Sequence, residues 1–310
     1  MKKIIILLLL VFTFSSCSNV EKESTNDGKI KIVSSIIPFS SIVNYIGGNK
    51  VAVSTLIPSG VSPHNFDLKV KDMLKINDSD IIFSLGIEHI DGFLDKLETK
   101  NNIVKLIRGV NILYSNDSHE HNHNEKEVHY EEENYEEKSH NIDPHVWLGI
   151  NNIKIISLRI KSELIKSSPE NKDLFEKNYN NFIKELDLIV SNYKKNTLSL
   201  EQKDFIIYHD AYNYLFDSFG IEQGKKHIFQ GIVGANNKIG DLKKLTHEIK
   251  EKNIKYIFVE PQFNDSNIRK IANEYSMDIF VLDPLGEDSS SLGYLNNLEK
   301  NLENLSKIYK

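Results

Sequence analysis

Short runs of β-branched and other apolar residues recur along this chain, and each ends in a loop that opens a helical pattern. Four runs lie in the first half and three in the second: KIKIVSS, VAVSTLIP, DIIFSLG and NIVKLI, then DFIIYHD, KYIFVEP and DIFVLDP. Strands that alternate with helices predict parallel sheets covered by helices. The sequence therefore favours an α/β protein with two lobes, one for each group of runs.

A longer helical pattern separates the two groups. Ser168 is suited to cap this helix and Pro169 to occupy its first position. Its apolar residues step by four and three, as one helical face requires: Phe175, Tyr179, Phe182, Leu186, Ile189 and Tyr193. Such a stripe spans roughly 25 to 30 residues, on the order of 40 Å of helix. We expect this rigid linker, residues 168–199, to brace an N-terminal lobe of residues 29–167 and a C-terminal lobe of residues 200–310.

The amino terminus resembles a bacterial export signal. Two lysines precede an apolar run from Ile4 to Val11, which is far shorter than the roughly 20 residues that span a bilayer. We expect residues 1–16 to be a signal peptide, Cys17 to be lipidated, and residues 17–28 to form a polar tether. The alternative is a simple secretory signal with a chance cysteine. The lipidated form is an extracytoplasmic, membrane-anchored lipoprotein, on either an inner or an outer membrane.

Composition sets the class of partner. With 310 residues, 40% of them hydrophobic, the chain is large enough for two lobes with separate cores. The formal net charge is −6, and the segment 116–140 alone holds nine acidic residues and two lysines. The rest of the chain is nearly neutral and shows no basic patch, so a nucleic-acid partner is not expected.

Histidines are concentrated in one stretch. HEHNHNEKEVHYEEENYEEKSHNIDPHVW, residues 119–147, holds six of the eleven. Residues 116–141 have no apolar periodicity and are predicted to be a solvated insertion of the first lobe. The loop contains H-E-x-x-H, but that zinc-protease motif needs a packed helix. An unordered loop loses chain entropy when it forms a metal site, so these histidines should bind zinc weakly and exchangeably: His119, His121, His123, His129 and His140.

Four other positions lie in rigid turns or at predicted strand ends. His64 stands in PSGVSPHNFDL, His145 in DPHVWL, His209 in DFIIYHD and Asp283 in DIFVLDPLG. In open α/β sheets, ligands collect in the crevice beyond the carboxyl ends of strands. Three imidazoles and a carboxylate suit a four-coordinate zinc ion. Any one of these histidines alone is typical of a hydrogen-bonded turn, but the set together predicts one metal site.

The ordered set PSGVSPHNFDL, DPHVWL, YHDAYNYLFDSFG, VEPQF and LDPLG resembles the metal-binding lipoproteins of bacterial ABC importers for zinc and manganese, the cluster A-I solute-binding proteins. The similarity runs over essentially the whole mature chain. It implies two α/β lobes joined by a rigid helix, with the metal in the interlobe cleft. It also implies ligand roles for the four residues above and an ABC-transporter permease as partner. We expect the protein to be a monomer.

The resemblance also bears on the metal. Manganese members usually carry a glutamate where this chain has His209, and nitrogen suits zinc better than the harder carboxylate does. Zn²⁺ is therefore the expected transported ligand, with Mn²⁺ as the alternative. Asp283 is the least secure ligand, because water or a loop residue completes the shell in some zinc members. Glu260, in VEPQF, is expected to stand behind the ligands rather than bind the metal.

Three further histidines and one aspartate have ordinary interpretations. His89 is expected near the cleft without ligating, and His227 and His247 are expected at the surface. Asp210 either supports an imidazole or caps a helix, and the cap is the preferred interpretation.

Three classes of function remain open at this stage. The first is a zinc-capturing lipoprotein that delivers to a permease. The second is a zinc hydrolase, which needs an open coordination position for water and a general base. Four protein ligands would close that position, so we expect no enzyme. The third is a zinc buffer or adhesin at the cell surface without a transporter.

Overall fold

A computed structural model describes residues 28–97, 101–114, 142–197, 199–230, 239–263 and 266–309. The predicted signal peptide, the lipidation site at Cys17 and the five histidines of the acidic loop lie outside these ranges.

The first half of the chain forms a four-stranded parallel sheet. Its strands are β1 (Ile30–Ser34), β2 (Val51–Thr55), β3 (Ile81–Ser84) and β4 (Asn102–Lys105). Their order across the sheet is β2-β1-β3-β4, and every pairing is parallel. The central strands β1 and β3 are almost entirely buried, as their unbroken β-branched runs require in a sheet covered on both faces.

The second half repeats this arrangement. Its strands are β5 (Phe205–His209), β6 (Lys226–Gln230), β7 (Tyr256–Val259) and β8 (Asp278–Val281). Their order is β6-β5-β7-β8, again parallel throughout. The seven runs singled out in the sequence are confirmed as strands. β6 was not identified, because KHIFQ is short and mostly polar, as suits an edge strand on which Ile228 is exposed.

Helices connect and cover the strands. They are α1 (Ile37–Gly47), α2 (Val70–Asn77), α3 (Glu88–Asp91), α4 (Ile150–Ser167), α5 (Lys172–Thr197), α6 (Asn213–Phe219), α7 (Ile239–Lys252), α8 (Ser266–Glu274) and α9 (Gly293–Leu305). Across the described ranges, no helix is both long and apolar enough to cross a membrane.

Helix α5 is the predicted linker. Its 26 residues extend about 39 Å at 1.5 Å per residue. Four residues of the predicted stripe are buried and two are half-buried against the same core: Phe175, Phe182, Leu186 and Tyr193, then Tyr179 and Ile189. Ser168 precedes the opening turn as expected, but its hydroxyl bonds the Glu170 carboxylate rather than a helix N–H. A short 3₁₀ turn, Pro169–Asn171, precedes α5, and the capping contact differs from the one expected.

One hydrophobic core extends across both lobes, and a second buried cluster lies within the C-terminal lobe. A single buried cluster contains residues of both sheets and of α1, α4, α5 and α9. Polar contacts cross between the halves as well: the Tyr294 backbone N–H donates to Ser41 Oγ at 2.8 Å, and Trp147 Nε1 donates to the Pro284 carbonyl at 2.7 Å. The cleft between the lobes is therefore framed by packed elements on both sides.

Candidate metal centre

Three imidazoles from distant parts of the chain meet between the lobes. His64 lies in the turn Pro63–Asn65 after β2, His145 lies just before α4, and His209 is the last residue of β5. The ring centroids are 5.6 Å apart for His64 and His145, 5.8 Å for His64 and His209, and 5.0 Å for His145 and His209. One nitrogen of each ring lies within 4.8 Å of the others. Nitrogens this close are compatible with one shared cation.

Sheet topology explains why the site forms here. β5 and β7 are neighbours at the centre of the second sheet, and the chain leaves them toward opposite edges. Parallel α/β sheets bind ligands at this switch point, beyond the carboxyl ends of the strands. His209 ends β5 and Glu260 directly follows β7. Both side chains therefore project into the cleft from the C-terminal lobe.

The space between the imidazoles is small. Its volume is about 10 Å³, and its walls include aromatic and proline side chains as well as the three histidines: Trp147, Phe263, Pro284 and Pro63. A volume of this order holds one water molecule or an ion of similar size. The cavity is matched to an ion and is far smaller than the pockets that take organic ligands.

His145 is held by a buried carboxylate. Asp143 Oδ1 lies 2.8 Å from Nδ1 of the ring and 3.0 Å from the His145 backbone nitrogen, and both side chains are buried. Burial works to raise the pKa of Asp143, but hydrogen bonds from His145 and Asn213 outweigh it and hold that pKa below its usual range. An ionised carboxylate at Nδ1 leaves the Nε2 lone pair available for a metal.

The contact of Asp143 with His145 was not predicted from the sequence, although the two residues are close along the chain. It stands two residues before the predicted ligand in DPHVWL. An acidic residue so close to a ligand histidine, in a turn stiffened by Pro144, can fold back onto the ring. Its contact with Asn213 of α6 depends on tertiary structure and has no sequence signal.

His209 faces a second buried carboxylate. Both oxygens of Glu260 lie 3.4 Å from His209 Nδ1. Burial raises the pKa of Glu260, and the contact with His209 opposes that rise. Within the described ranges, the group of mutually close ligand atoms comprises His64, His145 and His209 and does not include Glu260. The geometry puts Glu260 beside His209 and outside the group of three, and its supporting role stays a prediction.

His64 is neutral in this setting. Burial, followed by the proximity of His145 and His209, lowers the pKa of His64 to about 3. A metal competes with protons for imidazole nitrogens. The ring therefore needs no deprotonation at neutral pH before it can bind a cation.

Asp283 is buried near the site, outside the three-histidine group. Its Oδ1 accepts hydrogen bonds from Gln262 Nε2 at 2.7 Å, from the Leu285 backbone N–H at 3.0 Å and from the Gly286 backbone N–H at 2.9 Å. These donors fix the carboxylate beyond β8. A direct role in metal binding stays a prediction.

Two expectations outside the site were wrong. Asp210 does not cap α6, which begins at Asn213; it accepts a hydrogen bond from Lys226 Nζ at 2.6 Å instead. His227, expected at the surface, is buried. It lies on β6. This strand was not recognised in the sequence, so the burial of His227 could not be predicted.

The other two expectations for ordinary histidines agree with the structure. His247 is exposed on α7. His89 is exposed on α3 and lies close enough to His64 to influence the pKa of that ring, which places it at the edge of the cleft. Neither belongs to the three-histidine group found among the described residues.

Two parallel α/β lobes, a long connecting helix and a cluster of three histidines between the lobes, two of them buried and one half-buried, together define a two-lobed protein with a candidate transition-metal centre. The chain belongs to the family described as zinc-uptake complex component A, periplasmic (ZnuA), which matches residues 32–308.

Similar proteins agree with this assignment. The zinc-binding lipoprotein AdcA of Streptococcus pneumoniae serotype 4 is 29% identical over 99% of this chain, and the zinc-binding protein AdcA of Streptococcus pyogenes serotype M3 is 27% identical over 98%. The match spans 61% of the length of each AdcA protein. The manganese ABC transporter substrate-binding lipoprotein PsaA of Streptococcus anginosus is 25% identical, over 99% of this chain and 100% of PsaA.

Solved structures show the same fold. A zinc-bound deletion mutant of ZnuA superposes with a TM-score of 0.75 at 23% sequence identity, covering 91% of this chain and 98% of that one. The likeness extends to the lobes, the linker and their mutual arrangement. The two α/β lobes and the helix predicted to join them are confirmed.

Proposed function

We propose that this chain is an extracytoplasmic zinc-binding protein that captures Zn²⁺ through His64, His145 and His209 and delivers it to an ABC-transporter permease. One observation carries the proposal: three imidazoles from separate segments surround an ion-sized cavity. Membership of the zinc-uptake family and the names of the AdcA relatives support the same conclusion.

The donor set favours zinc over manganese. Imidazole nitrogen suits Zn²⁺, whereas Mn²⁺ prefers sites richer in oxygen. Three nitrogens of this cluster lie within reach of one cation. The relatives include proteins named for each metal, so the chemistry of the site decides between them. Zn²⁺ is accordingly the proposed cargo.

Asp283 is the proposed fourth ligand. Its Oδ1 is occupied by three hydrogen-bond donors, so coordination would use the other oxygen. Asp283→Asn should then weaken zinc binding while leaving the three imidazoles in place. Unchanged affinity in this variant would assign the fourth position to water.

The cavity also bears on the choice between a binding protein and an enzyme. The space of about 10 Å³ between the imidazoles matches an ion. A zinc hydrolase needs an open coordination position for water together with room for a substrate. We infer that the protein binds and releases its metal without chemical conversion of a second substrate. Zinc-dependent ester hydrolysis that is lost in His209→Ala would contradict this inference.

Membrane attachment is proposed through lipidation of Cys17, with residues 17–28 as the tether to the lobes 29–167 and 200–310. The AdcA of S. pneumoniae and PsaA are both named lipoproteins. Cys17→Ala should release the protein from the membrane fraction. The acidic loop 116–141 is proposed to bind further zinc weakly through its five histidines.

Competitive metal binding tests the function directly. Protein purified without added metal should bind one Zn²⁺ tightly per chain, and excess Mn²⁺ should not displace it. Preferential retention of Mn²⁺ would overturn the zinc assignment. Growth of a zinc-limited host should be restored by the intact gene only when the cognate permease is present, and restoration without the permease would indicate storage rather than import.

A further inference from the structure

Lys226 is a nearly buried cation with two polar partners. Its side chain is 10% exposed, and Nζ lies 2.6 Å from Asp210 Oδ1 and 2.6 Å from Asn213 Oδ1. An ammonium group has three donors and no acceptor. The Asn213 atom that faces Lys226 must therefore be the amide oxygen.

This contact orients the Asn213 amide. With its oxygen turned toward Lys226, the NH₂ group points the other way, where Nδ2 donates to Asp143 Oδ2 at 3.0 Å. A flipped amide would put NH₂ against the ammonium and an oxygen against the carboxylate, so both contacts would be repulsive. Lys226 and Asp143 therefore favour the same orientation of the Asn213 amide, and Lys226 holds that amide in place from its oxygen side.

Asp143 connects Asn213 to His145 by hydrogen bonds. Its Oδ2 accepts from Asn213, and its Oδ1 lies 2.8 Å from His145 Nδ1. A carboxylate that only accepts hydrogen bonds requires the imidazole proton on Nδ1. The lone pair is then on Nε2, where a metal can bind it. Lys226, Asn213, Asp143 and His145 thus form one connected series of hydrogen bonds that ends at a candidate ligand.

The series also crosses between the lobes. Lys226 begins β6 and Asn213 begins α6, both in the second lobe, whereas Asp143 and His145 precede α4. Tyr214, the next residue of α6, adds a second hydrogen bond between the lobes, because its Oη donates to the Asp143 carbonyl at 2.8 Å. The C-terminal lobe thus orients a ligand that the N-terminal side supplies.

We propose that Lys226 is a remote positioning residue of the metal centre, which acts through Asn213 and Asp143 to hold the His145 ring in place for the cation. The proposal rests on the zinc-binding function proposed above. Lys226 does not touch the metal. Its contribution is to fix the Asn213 amide and, through it, the position of the Asp143 carboxylate that holds His145.

Zinc affinity measured by competition with a chelator tests the proposal. Lys226→Met should lower the affinity about ten-fold, at the lower end of the effects of residues that support metal ligands. Lys226→Arg, which also only donates, should recover most of it. The matched control is Lys225→Met: Lys225 Nζ donates to the Gln202 carbonyl at 2.7 Å, so this variant should keep wild-type affinity.

A double-mutant cycle separates positioning from general structural support. If Lys226 acts through Asp143, then Lys226→Met should have less than about a two-fold effect once Asp143→Asn has removed the carboxylate, because coupled residues are not additive. Additive losses would overturn the proposal. If Lys226→Met does not fold, the same cycle with Asn213→Leu applies, and additivity there has the same meaning.

The tautomer itself is visible by ¹⁵N nuclear magnetic resonance of the metal-free protein. His145 should carry its proton on Nδ1 in both proteins, because Asp143 accepts from it in either case, and its ¹⁵N signals should shift or broaden in Lys226→Met as the ring loses its fixed position. A wild type that binds no zinc tightly would contradict the proposed function. A wild type that binds zinc tightly, with Lys226→Met equal to it in affinity and in the ¹⁵N signals of His145, would contradict only the role of Lys226.

Discussion

At the carboxyl end of the C-terminal sheet, His209 has Nδ1 near Glu260 and one nitrogen close to the other two imidazoles. At the amino end of the same sheet, His227 is also buried, but both of its nitrogens contact carboxylates. Nδ1 lies 2.9 Å from Glu248 and Nε2 lies 2.9 Å from Asp204. The two residues are on adjacent strands, and burial alone does not distinguish them.

The comparison shows how the number of carboxylate contacts decides whether a buried histidine can bind a metal. A ring with a carboxylate on one side can give its second nitrogen to a metal, and the carboxylate strengthens that bond. A ring whose two nitrogens both contact carboxylates has neither nitrogen turned toward a metal. His209 is therefore suited to ligation, whereas His227 cross-links β6 to α7 and to the residue before β5.

The largest effect is expected from the metal site. His209→Ala should lower zinc affinity by about 100-fold or more, because one of three nitrogen ligands is lost and a buried cavity is left in its place. His247→Ala, at an exposed histidine, is the matched control and should bind zinc as the wild type does. Competition with a chelator of known affinity measures both. A loss of less than ten-fold in His209→Ala would put the tight site elsewhere.

Acidification should destabilise the metal-free protein through His64. The pKa of this ring is lowered to about 3 in the folded protein, against about 6.5 in an unfolded chain. Between these values the unfolded state binds a proton that the folded state does not, so the free energy of unfolding falls as pH drops from about 6.5 toward 3. One proton corresponds to a slope of up to about 1.4 kcal/mol per pH unit.

Urea unfolding at a series of pH values measures this slope. His64→Gln removes the titrating ring and should flatten the pH dependence over the same window. His247→Gln again serves as the control and should leave the slope unchanged. A slope identical in wild type and His64→Gln would show that His64 is not held neutral.

His227→Gln should reverse the pattern seen at His209. Removal of the ring breaks two contacts with carboxylates that are about a quarter exposed, so a loss of about 1 to 2 kcal/mol of stability is expected. Zinc affinity should stay within about two-fold of the wild type. A larger fall in zinc affinity would mean that the two ends of the sheet are not independent.

The smallest effect on the tight site is expected from the acidic loop. Deletion of residues 117–140 should change the affinity of the tight site by less than about two-fold and remove weaker zinc binding. Calorimetry at increasing zinc concentration separates the two classes. Disappearance of the tight site would contradict the proposal that the cleft histidines bind zinc tightly and the loop histidines bind it weakly.

Strands, helices and turns that leave a pattern within a short stretch of sequence could be predicted. The strand that ends in His209 and the strand that Glu260 follows are continuous apolar runs, and the stripe from Phe175 to Tyr193 is periodic, so each can be recognised locally. Proline-bounded turns marked His64 and His145 in the same way. These features predicted the lobes, the linker and the residues that meet in the cleft.

Contacts between distant segments had no such signal. KHIFQ contains too few apolar residues to be recognised as a strand, so the burial of His227 and the position of Lys226 were not foreseen. The hydrogen bonds from Asn213 to Asp143 and from Lys226 to Asp210 depend on how the lobes pack. Supporting interactions of a site are harder to predict than its ligands, because they follow from the fold rather than from a motif.

X-ray absorption at the zinc edge of the loop-deleted protein, loaded with one equivalent of Zn²⁺, tests the central claim most directly. The account predicts a first shell of low coordination number that contains three imidazole nitrogens at about 2.0 to 2.1 Å. A shell made of oxygen atoms, or one with fewer than three imidazoles, would contradict it.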